Sequence, residues 1–137
     1  MRANFKKYGQ TIHLIGGHLV YISNMLHPNY IDGIVSDYDQ YCIDLKNAIS
    51  VGQTSVQSLV TITPPEFLDK EHNLLIKSYK DIINCLEDLL YMIDKNILKV
   101  LRVEDIDKVI CKLKGIEQAL NFTTISLINK IKLQPRR

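Results

Sequence analysis

The sequence contains no tryptophan and little glycine or proline, and these shortages exclude several classes of protein. Six glycines and four prolines among 137 residues are too few for a disordered chain or an all-β fold with many tight turns. The three cysteines, Cys42, Cys85 and Cys111, are widely spaced and form no CxxC pair. Neither a disulfide framework nor a zinc site is therefore expected. The net charge of +2 does not favour nucleic acid as a partner.

Membrane-spanning segments and catalytic motifs are also missing from the sequence. No run approaches the roughly 20 apolar residues of a spanning helix, and His13 and His18 interrupt the apolar stretch near the N-terminus. We therefore expect no membrane span, no signal peptide and a cytoplasmic location. There is no phosphate-binding loop, GxSxG, HExxH or Rossmann glycine pattern. These absences favour a protein that is not an enzyme and uses no metal or cofactor.

Apolar residues instead fall on four stripes whose steps alternate mainly between three and four residues. The stripes are Phe5, Tyr8, Ile12, Ile15, Leu19, Ile22 and Leu26; Ile31, Val35, Tyr38, Cys42, Leu45, Ile49, Gly52, Val56 and Leu59; Leu68, His72, Leu75, Tyr79, Ile82, Leu86, Leu89 and Ile93; and, more loosely, Ile106, Val109, Leu113, Ile116, Leu120, then Thr123 or Thr124, Leu127 and Ile131. This spacing keeps one face of a helix turned toward its neighbours. It predicts helices at about 3–27, 29–61, 64–94 and 104–133, within a single domain over residues 1–137.

Short connections near Pro28 and Pro64 predict that successive helices run antiparallel. The expected fold is all-α, an antiparallel up-down-up-down four-helix bundle. Thr63 and Glu66 fit a capping box at the start of the third helix. The third connection contains Leu98, Val100 and Leu101, which we expect to be exposed and to offer a surface for a homodimer.

Four residues are candidates for a ligand or partner surface: Gly16, Gly17, Gly52 and His72. Gly16-Gly17 would permit close helix contact or a kink, which are the favoured interpretations. In the ligand-binding hypothesis, Gly16, Gly17 and Gly52 open space between helices. His72 is either a core histidine with satisfied ring nitrogens or a metal ligand or general base. The core interpretation is favoured, because a di-iron site needs two Glu-x-x-His motifs and further inward carboxylates.

His13 is a weaker candidate for chemistry. The stretch His13-Leu-Ile-Gly-Gly is similar to the His-x-x-Lys-Gly of histidine phosphotransfer bundles, with Gly16 in place of the lysine. A phosphotransfer or metal-dependent enzyme, acting through His13 or His72, is therefore a third and less favoured hypothesis.

Basic residues are predicted to gather at one end of the bundle. They are Arg2, Lys6, Lys7, Lys130, Lys132, Arg136 and Arg137. Solvated helix ends explain such a cluster, since cations are favourable in the last turn of a helix. A patch for an anionic partner is the alternative interpretation.

The stretch from Tyr41 to Leu75 carries a family resemblance. Its motifs are Tyr41-x-x-x-Leu45-x-x-Ala48-Ile49, Val56-x-x-Leu59-x-x-Ile62 and Pro65-Glu66-x-Leu68-x-x-x-His72-x-x-Leu75. The chain resembles a group of small uncharacterised helical-bundle proteins of Gram-positive bacteria, many of them lipoproteins, over roughly residues 38 to 130. The resemblance implies a helical fold and no catalytic residues.

Two functional hypotheses follow from a helical scaffold without catalytic motifs. The leading one is a non-catalytic interaction protein, bacterial or phage, that binds a partner protein and regulates or inhibits it. The alternative is a sensor-like domain that holds an apolar small molecule, such as a fatty acid, in its core and acts in signalling. An apolar tunnel beside the glycines would favour the second hypothesis, and a tightly filled core would remove it.

Overall fold

The structure, a computed structural model, describes the backbone of residues 2–133 and the side chains of residues 6–133. This part of the chain forms four long helices and one small hairpin. They are α1 (Arg2–Met25), β1 (Tyr30–Ile31), β2 (Ile34–Val35), α2 (Tyr38–Thr61), α3 (Asp69–Asp94) and α4 (Val103–Lys132). The predicted all-α class is confirmed, and the first and last helices match their predicted bounds to within two residues. Among these described residues, no helix is both long and apolar enough to cross a bilayer.

Side-chain contacts link each helix to the next one along the chain. The bonded pairs are His18–Ser55 for α1 and α2, with Leu26–Tyr41 just beyond the end of α1; Leu59–His72 and Tyr38–Ile93 for α2 and α3; and Glu71–Lys130 and Cys85–Val109 for α3 and α4. In every set, a residue late in one helix bonds to a residue early in the next. The most extensive helix contacts are those of α2 with α3, α3 with α4, and α1 with α2.

The described members of the predicted apolar stripes form the core, except Ile31, which is exposed on the hairpin. Every described member of the first and third stripes is buried, from Tyr8 to Leu26 and from Leu68 to Ile93. The fourth stripe alternates buried positions with half-buried ones. Phe5, at the start of the first stripe, lies outside the described side chains. Burial of these side chains on folding is the main favourable contribution to the stability of such a domain.

The prediction of a helix over 29–61 is wrong for its first nine residues. The segment from Tyr30 to Val35 is an antiparallel hairpin, and α2 begins only at Tyr38. Its two-residue turn has positive φ at Asp32 (53°) and Gly33 (76°), a conformation that Asp-Gly favours. Asp37 then caps α2, because its carboxylate accepts the backbone N–H of Gln40 at 3.0 Å.

The prediction that the third helix begins at residue 64 with a Thr63 cap is also wrong. A short 3₁₀ helix, Glu66–Leu68, precedes α3, and Leu68 at the N-cap position of α3 provides no side-chain hydrogen bond. The physical reason lies in the paired prolines. Pro65 disfavours a helical conformation at Pro64, and Pro65 itself is extended, with ψ of 144°.

The connection between α3 and α4 packs against the hairpin. The Val35 N–H donates to the Leu101 carbonyl and the Val103 N–H donates to the Gly33 carbonyl, both at 2.9 Å. The expectation that Leu101 is exposed is therefore wrong, since it is buried. Leu98 and Val100 are exposed as predicted. Hairpin and connection together cover one end of the helices.

Candidate functional site

The packing of α1 and α4 leaves an open space between the two helices. Three glycines of α1 face it or lie beside it: Gly9, Gly16 and Gly17. A Cβ atom added at any of them would meet no neighbouring atom within 4 Å. Because these positions carry no side chains, α1 has nothing there with which to fill the distance to α4.

A cavity of about 460 Å³ occupies this space. Its wall is mainly apolar and comes from two helices. The lining residues are Gly9, Ile12, His13, Gly16, Gly17 and Val20 of α1, with Thr124, Leu127, Ile128 and Ile131 of α4. The cavity is widely open to solvent, since six of its ten lining residues are exposed, among them His13, Val20 and Ile128. Its volume falls within the range of about 300–1,000 Å³ that is usual for small-molecule sites.

Two polar side chains contribute to the cavity wall. The Thr124 hydroxyl donates to the Leu120 carbonyl at 2.9 Å within its own helix, so it presents mainly its methyl group to a ligand. His13 is exposed, and its imidazole is the remaining polar group of the wall. The arrangement can hold an apolar molecule by burial, with His13 as a hydrogen-bonding partner.

A second, much smaller cavity of about 30 Å³ lies farther along the same two helices. It is lined by Ser23 of α1, by Leu26 and His27 just after α1, and by Ile110, Leu113, Lys114 and Glu117 of α4. Residues later in α1 therefore face residues earlier in α4. The cleft between the two helices thus has a wide apolar end near Gly9 and a narrow polar end near His27.

Gly52 does not line the cavity, although it was predicted together with Gly16 and Gly17. An added Cβ atom there would lie 2.9 Å from Ile83 Cγ1 and 3.8 Å from Ile22 Cδ1. Gly52 therefore permits close packing of α2 against α3 and α1. The structure brings two of the three predicted glycines to the cavity and places the third in the core.

His72 is also remote from the cavity wall. It is buried, and its Nδ1 lies 2.8 Å from the Tyr8 hydroxyl while its Nε2 lies 2.8 Å from the Leu59 carbonyl. The carbonyl can only accept, so Nε2 carries the proton and Nδ1 accepts from Tyr8. Both ring nitrogens are satisfied, which agrees with the interpretation as a core histidine.

The neighbouring Glu71 is buried and pairs with Lys130 of α4. The Lys130 Nζ lies 2.9 Å from Glu71 Oε2 and 3.1 Å from Oε1. The hydrogen bond from Lys130 lowers the pKa of Glu71 despite the opposing effect of burial. Burial and then the charge of Glu71 raise the pKa of Tyr8, which keeps its hydroxyl protonated as a donor to His72.

The predicted basic patch is partly described. Lys6, Lys7 and Lys132 are exposed, whereas Lys130 is engaged by Glu71. Arg136, Arg137 and the side chain of Arg2 lie outside the described residues. Within the described ranges, Lys6 and Lys132 form no ion pair.

Metal-binding groups do not assemble in the described part of the chain, where no three His, Cys, Asp or Glu side chains come together as ligands. The three cysteines are free thiols. His18, the neighbour of His13 in the sequence, instead bonds to the buried Ser55 hydroxyl at 2.9 Å.

Several residues of the cavity and its surroundings were not identified from the sequence as functional. Gly9, His13, Gly16 and Val20 follow one another at steps of four, three and four residues, so they share one face of α1. This spacing in the sequence could have placed Gly9 and Val20 beside the predicted glycine. Tyr8 and Glu71 carried no such signal, because their partners are 64 and 59 residues away.

Comparison with known proteins gives no further guide: no family model, curated protein or solved structure matches this chain.

Proposed function

We propose that this protein is a helical domain that binds an apolar small molecule between its first and last helices. The observation that carries the proposal is the cavity of about 460 Å³ lined by Gly9, Gly16 and Gly17. Glycine in a helix interior costs roughly 1 kcal/mol relative to alanine. Three such residues on one helical face, with open space before each, weaken α1 and leave room for a ligand.

The proposal includes an architecture, the antiparallel up-down-up-down four-helix bundle. The opposite sequence order of the bonded residues in successive helices supports it. In such a bundle the first and last helices are neighbours, and ligand sites form between facing helices. The resemblance to helical proteins of Gram-positive bacteria fits the same architecture and stays a prediction.

A binding titration with an uncharged naphthylamine dye tests the proposal. The chain has no tryptophan, so dye emission is measured without interference from that fluorophore. We expect dye emission to rise on binding to the wild-type protein. A variant with Gly16→Leu and Gly17→Leu fills the cavity and is expected to bind the dye at least roughly tenfold more weakly.

The matched control for this titration is Gly115→Leu. Gly115 is an exposed helical glycine of α4 with no atom within 4 Å of an added Cβ, and it lies outside the cavity wall. The substitution there brings the gain in helix propensity of one Gly→Leu change, and the control should bind the dye as the wild type does. Equal dye binding by the filled variant and the control would contradict the proposed site.

A second candidate function is binding of a protein partner, including a second copy of this chain. The supporting observation is the exposure of Ile97 (94 %) and Leu98 (82 %) on the connection between α3 and α4. Sedimentation velocity over a range of concentrations tests self-association. A dimer that is lost in a variant with Ile97→Ser and Leu98→Ser would support this candidate, and a monomer at every concentration would exclude the homodimer.

A further inference from the structure

The wide end of the cavity has a lysine on each of its two walls. Lys6 lies three residues before Gly9 and seven before His13, so it continues the cavity-lining face of α1. Lys132 lies four residues after Ile128 and continues the corresponding face of α4. Because late residues of α4 face early residues of α1, both lysines border the same end of the cavity.

The charge of these two lysines is not neutralised within the described part of the chain. Glu71 of α3 is buried, and Lys130 already pairs with it at 2.9 Å. Lys6 and Lys132 are both exposed. The narrow end of the cleft differs, since Lys114 and Glu117 contribute charges of opposite sign there. The cleft is therefore electrostatically asymmetric, with two unpaired lysines beside its wide apolar end and charges of opposite sign at its narrow polar end.

The volume of the cavity limits the size of an occupant. A cavity of roughly 150 Å³ in another protein holds one benzene molecule, and about 460 Å³ is three times as large. By volume it accepts a chain of roughly 12 to 18 carbon atoms. A peptide helix is a poor occupant by comparison. Such a helix with its side chains is roughly 10–12 Å wide, so one turn of it would already fill the cavity. A narrow chain fits the space between two helices better.

We propose that the ligand is a free long-chain carboxylic acid, with its hydrocarbon chain against Gly9, Gly16 and Gly17 and its carboxylate between Lys6 and Lys132. This inference rests on the proposed function, to which it adds the chemical class and the orientation of the ligand. The carboxylate stays hydrated at the mouth while the chain is removed from water. An apolar chain without an anionic group is bound only through the burial of its apolar surface and has no attraction to the lysines.

Displacement of the bound naphthylamine dye by three matched ligands tests the inference. The ligands are dodecanoate, dodecanol and dodecyltrimethylammonium, each used below the concentration at which it forms micelles. They share a chain and differ in the charge of the head group. We expect dodecanoate to displace the dye at the lowest concentration and the cation at the highest.

Two variants locate the head group. In Lys6→Gln with Lys132→Gln, we expect the dissociation constant for dodecanoate to rise roughly 2- to 30-fold, the range given by two exposed charge pairs. The value for dodecanol should not change. The control, Lys46→Gln with Lys108→Gln, removes two exposed lysines outside the cavity and should leave both values unchanged.

The outcomes separate the inference from the function on which it rests. If dodecanoate and dodecanol displace the dye equally well, or if both lysine variants behave alike, the cavity binds apolar molecules but the carboxylate inference is overturned. If neither ligand displaces the dye, or the dye does not bind, the proposed function itself fails. If the Lys6 and Lys132 variant binds dodecanoate more weakly but binds dodecanol as before, both the carboxylate inference and the proposed function are supported.

Discussion

At the level of single residues, the buried polar side chains of α3 each have a specific partner. His72 bonds to Tyr8 and Leu59, and Glu71 bonds to Lys130. The position of His72 on an apolar stripe was enough to predict its burial. Its partners could not be predicted, because Tyr8 is 64 residues away and periodicity relates only residues on the same helix.

Replacing Tyr8 by phenylalanine should show the value of this pairing. Tyr8→Phe removes the donor to His72 Nδ1 and leaves a buried acceptor unsatisfied. We expect a loss of about 1–3 kcal/mol in the free energy of unfolding, measured by chemical denaturation. Tyr21→Phe, which changes a partly exposed tyrosine (38 %), should cost less than about 0.5 kcal/mol. Equal small losses would show that the hydrogen bond to His72 contributes little.

The ion pair of Glu71 with Lys130 predicts a pH dependence of stability. The pKa of Glu71 is lowered in the folded protein, so the unfolded state binds more protons as the pH falls. The stabilisation from Glu71 is therefore present above its ordinary pKa of 4.5 and declines as the pH drops through the folded value.

Unfolding experiments on Glu71→Gln test this dependence. The variant should be less stable than the wild type at neutral pH, and the difference should narrow as the pH falls below about 4.5. Glu87→Gln changes an exposed glutamate of the same helix and serves as the control. A gap between wild type and Glu71→Gln that stays constant with pH would contradict a role for the ionised carboxylate.

At the level of secondary structure elements, the hairpin shows how a helical pattern can mislead. Ile31 and Val35 are four residues apart, as in a helix, yet they lie on opposite strands. The sequence contained the competing signal, Asp32-Gly33 between two pairs of apolar residues, which is typical of a two-residue hairpin turn. The Asp-Gly turn determines the structure here, because only two positions of the helical stripe, Ile31 and Val35, lie before α2.

The turn itself can be tested by Gly33→Ala. Gly33 has φ of +76°, a left-handed conformation that costs roughly 1–2 kcal/mol for a residue with a Cβ atom. We expect a loss of stability of that size in denaturation experiments. Gly115→Ala, at an open helical position, should instead stabilise by roughly 0.5–1 kcal/mol. Stabilisation by both changes would argue against the hairpin.

Alanine substitution at two helical glycines should change the stability of the protein in opposite directions. Gly16→Ala meets open space and should stabilise by roughly 0.5–1 kcal/mol. Gly52→Ala places its Cβ 2.9 Å from Ile83 Cγ1, and overpacking of a core costs about 1–3 kcal/mol. We therefore expect a net loss of about 1 kcal/mol at Gly52. Thermal unfolding of the two variants beside the wild type measures the difference, and a gain at both positions would show that α2 and α3 are less tightly packed.

At the level of the whole molecule, the cavity depends on how far apart α1 and α4 lie. The sequence indicated which residues share a face, and Gly16 and Gly17 suggested a gap. It could not indicate that α4 faces this gap, because the two walls are more than 100 residues apart in the chain and no local pattern connects them. Gly52 carried the same signal and is packed against Ile83 instead, so glycine alone does not distinguish a cavity from a close contact.

Ligand binding at this site should stabilise the wild type more than the filled variant. Without ligand, Gly16→Leu with Gly17→Leu should unfold at a higher temperature, since two helical glycines are removed and apolar surface is covered. A ligand at 100 times its dissociation constant stabilises the folded state by about 2.7 kcal/mol, which corresponds to a rise of several degrees in Tm. With dodecanoate at this concentration, the wild type should therefore gain the full amount, whereas the filled variant, with roughly tenfold weaker binding or less, should gain about 1.4 kcal/mol at most. Gly115→Leu should be stabilised by the substitution and should also show the full rise in Tm caused by the ligand. If the filled variant shows the same rise in Tm as the wild type, the ligand binds elsewhere on the molecule.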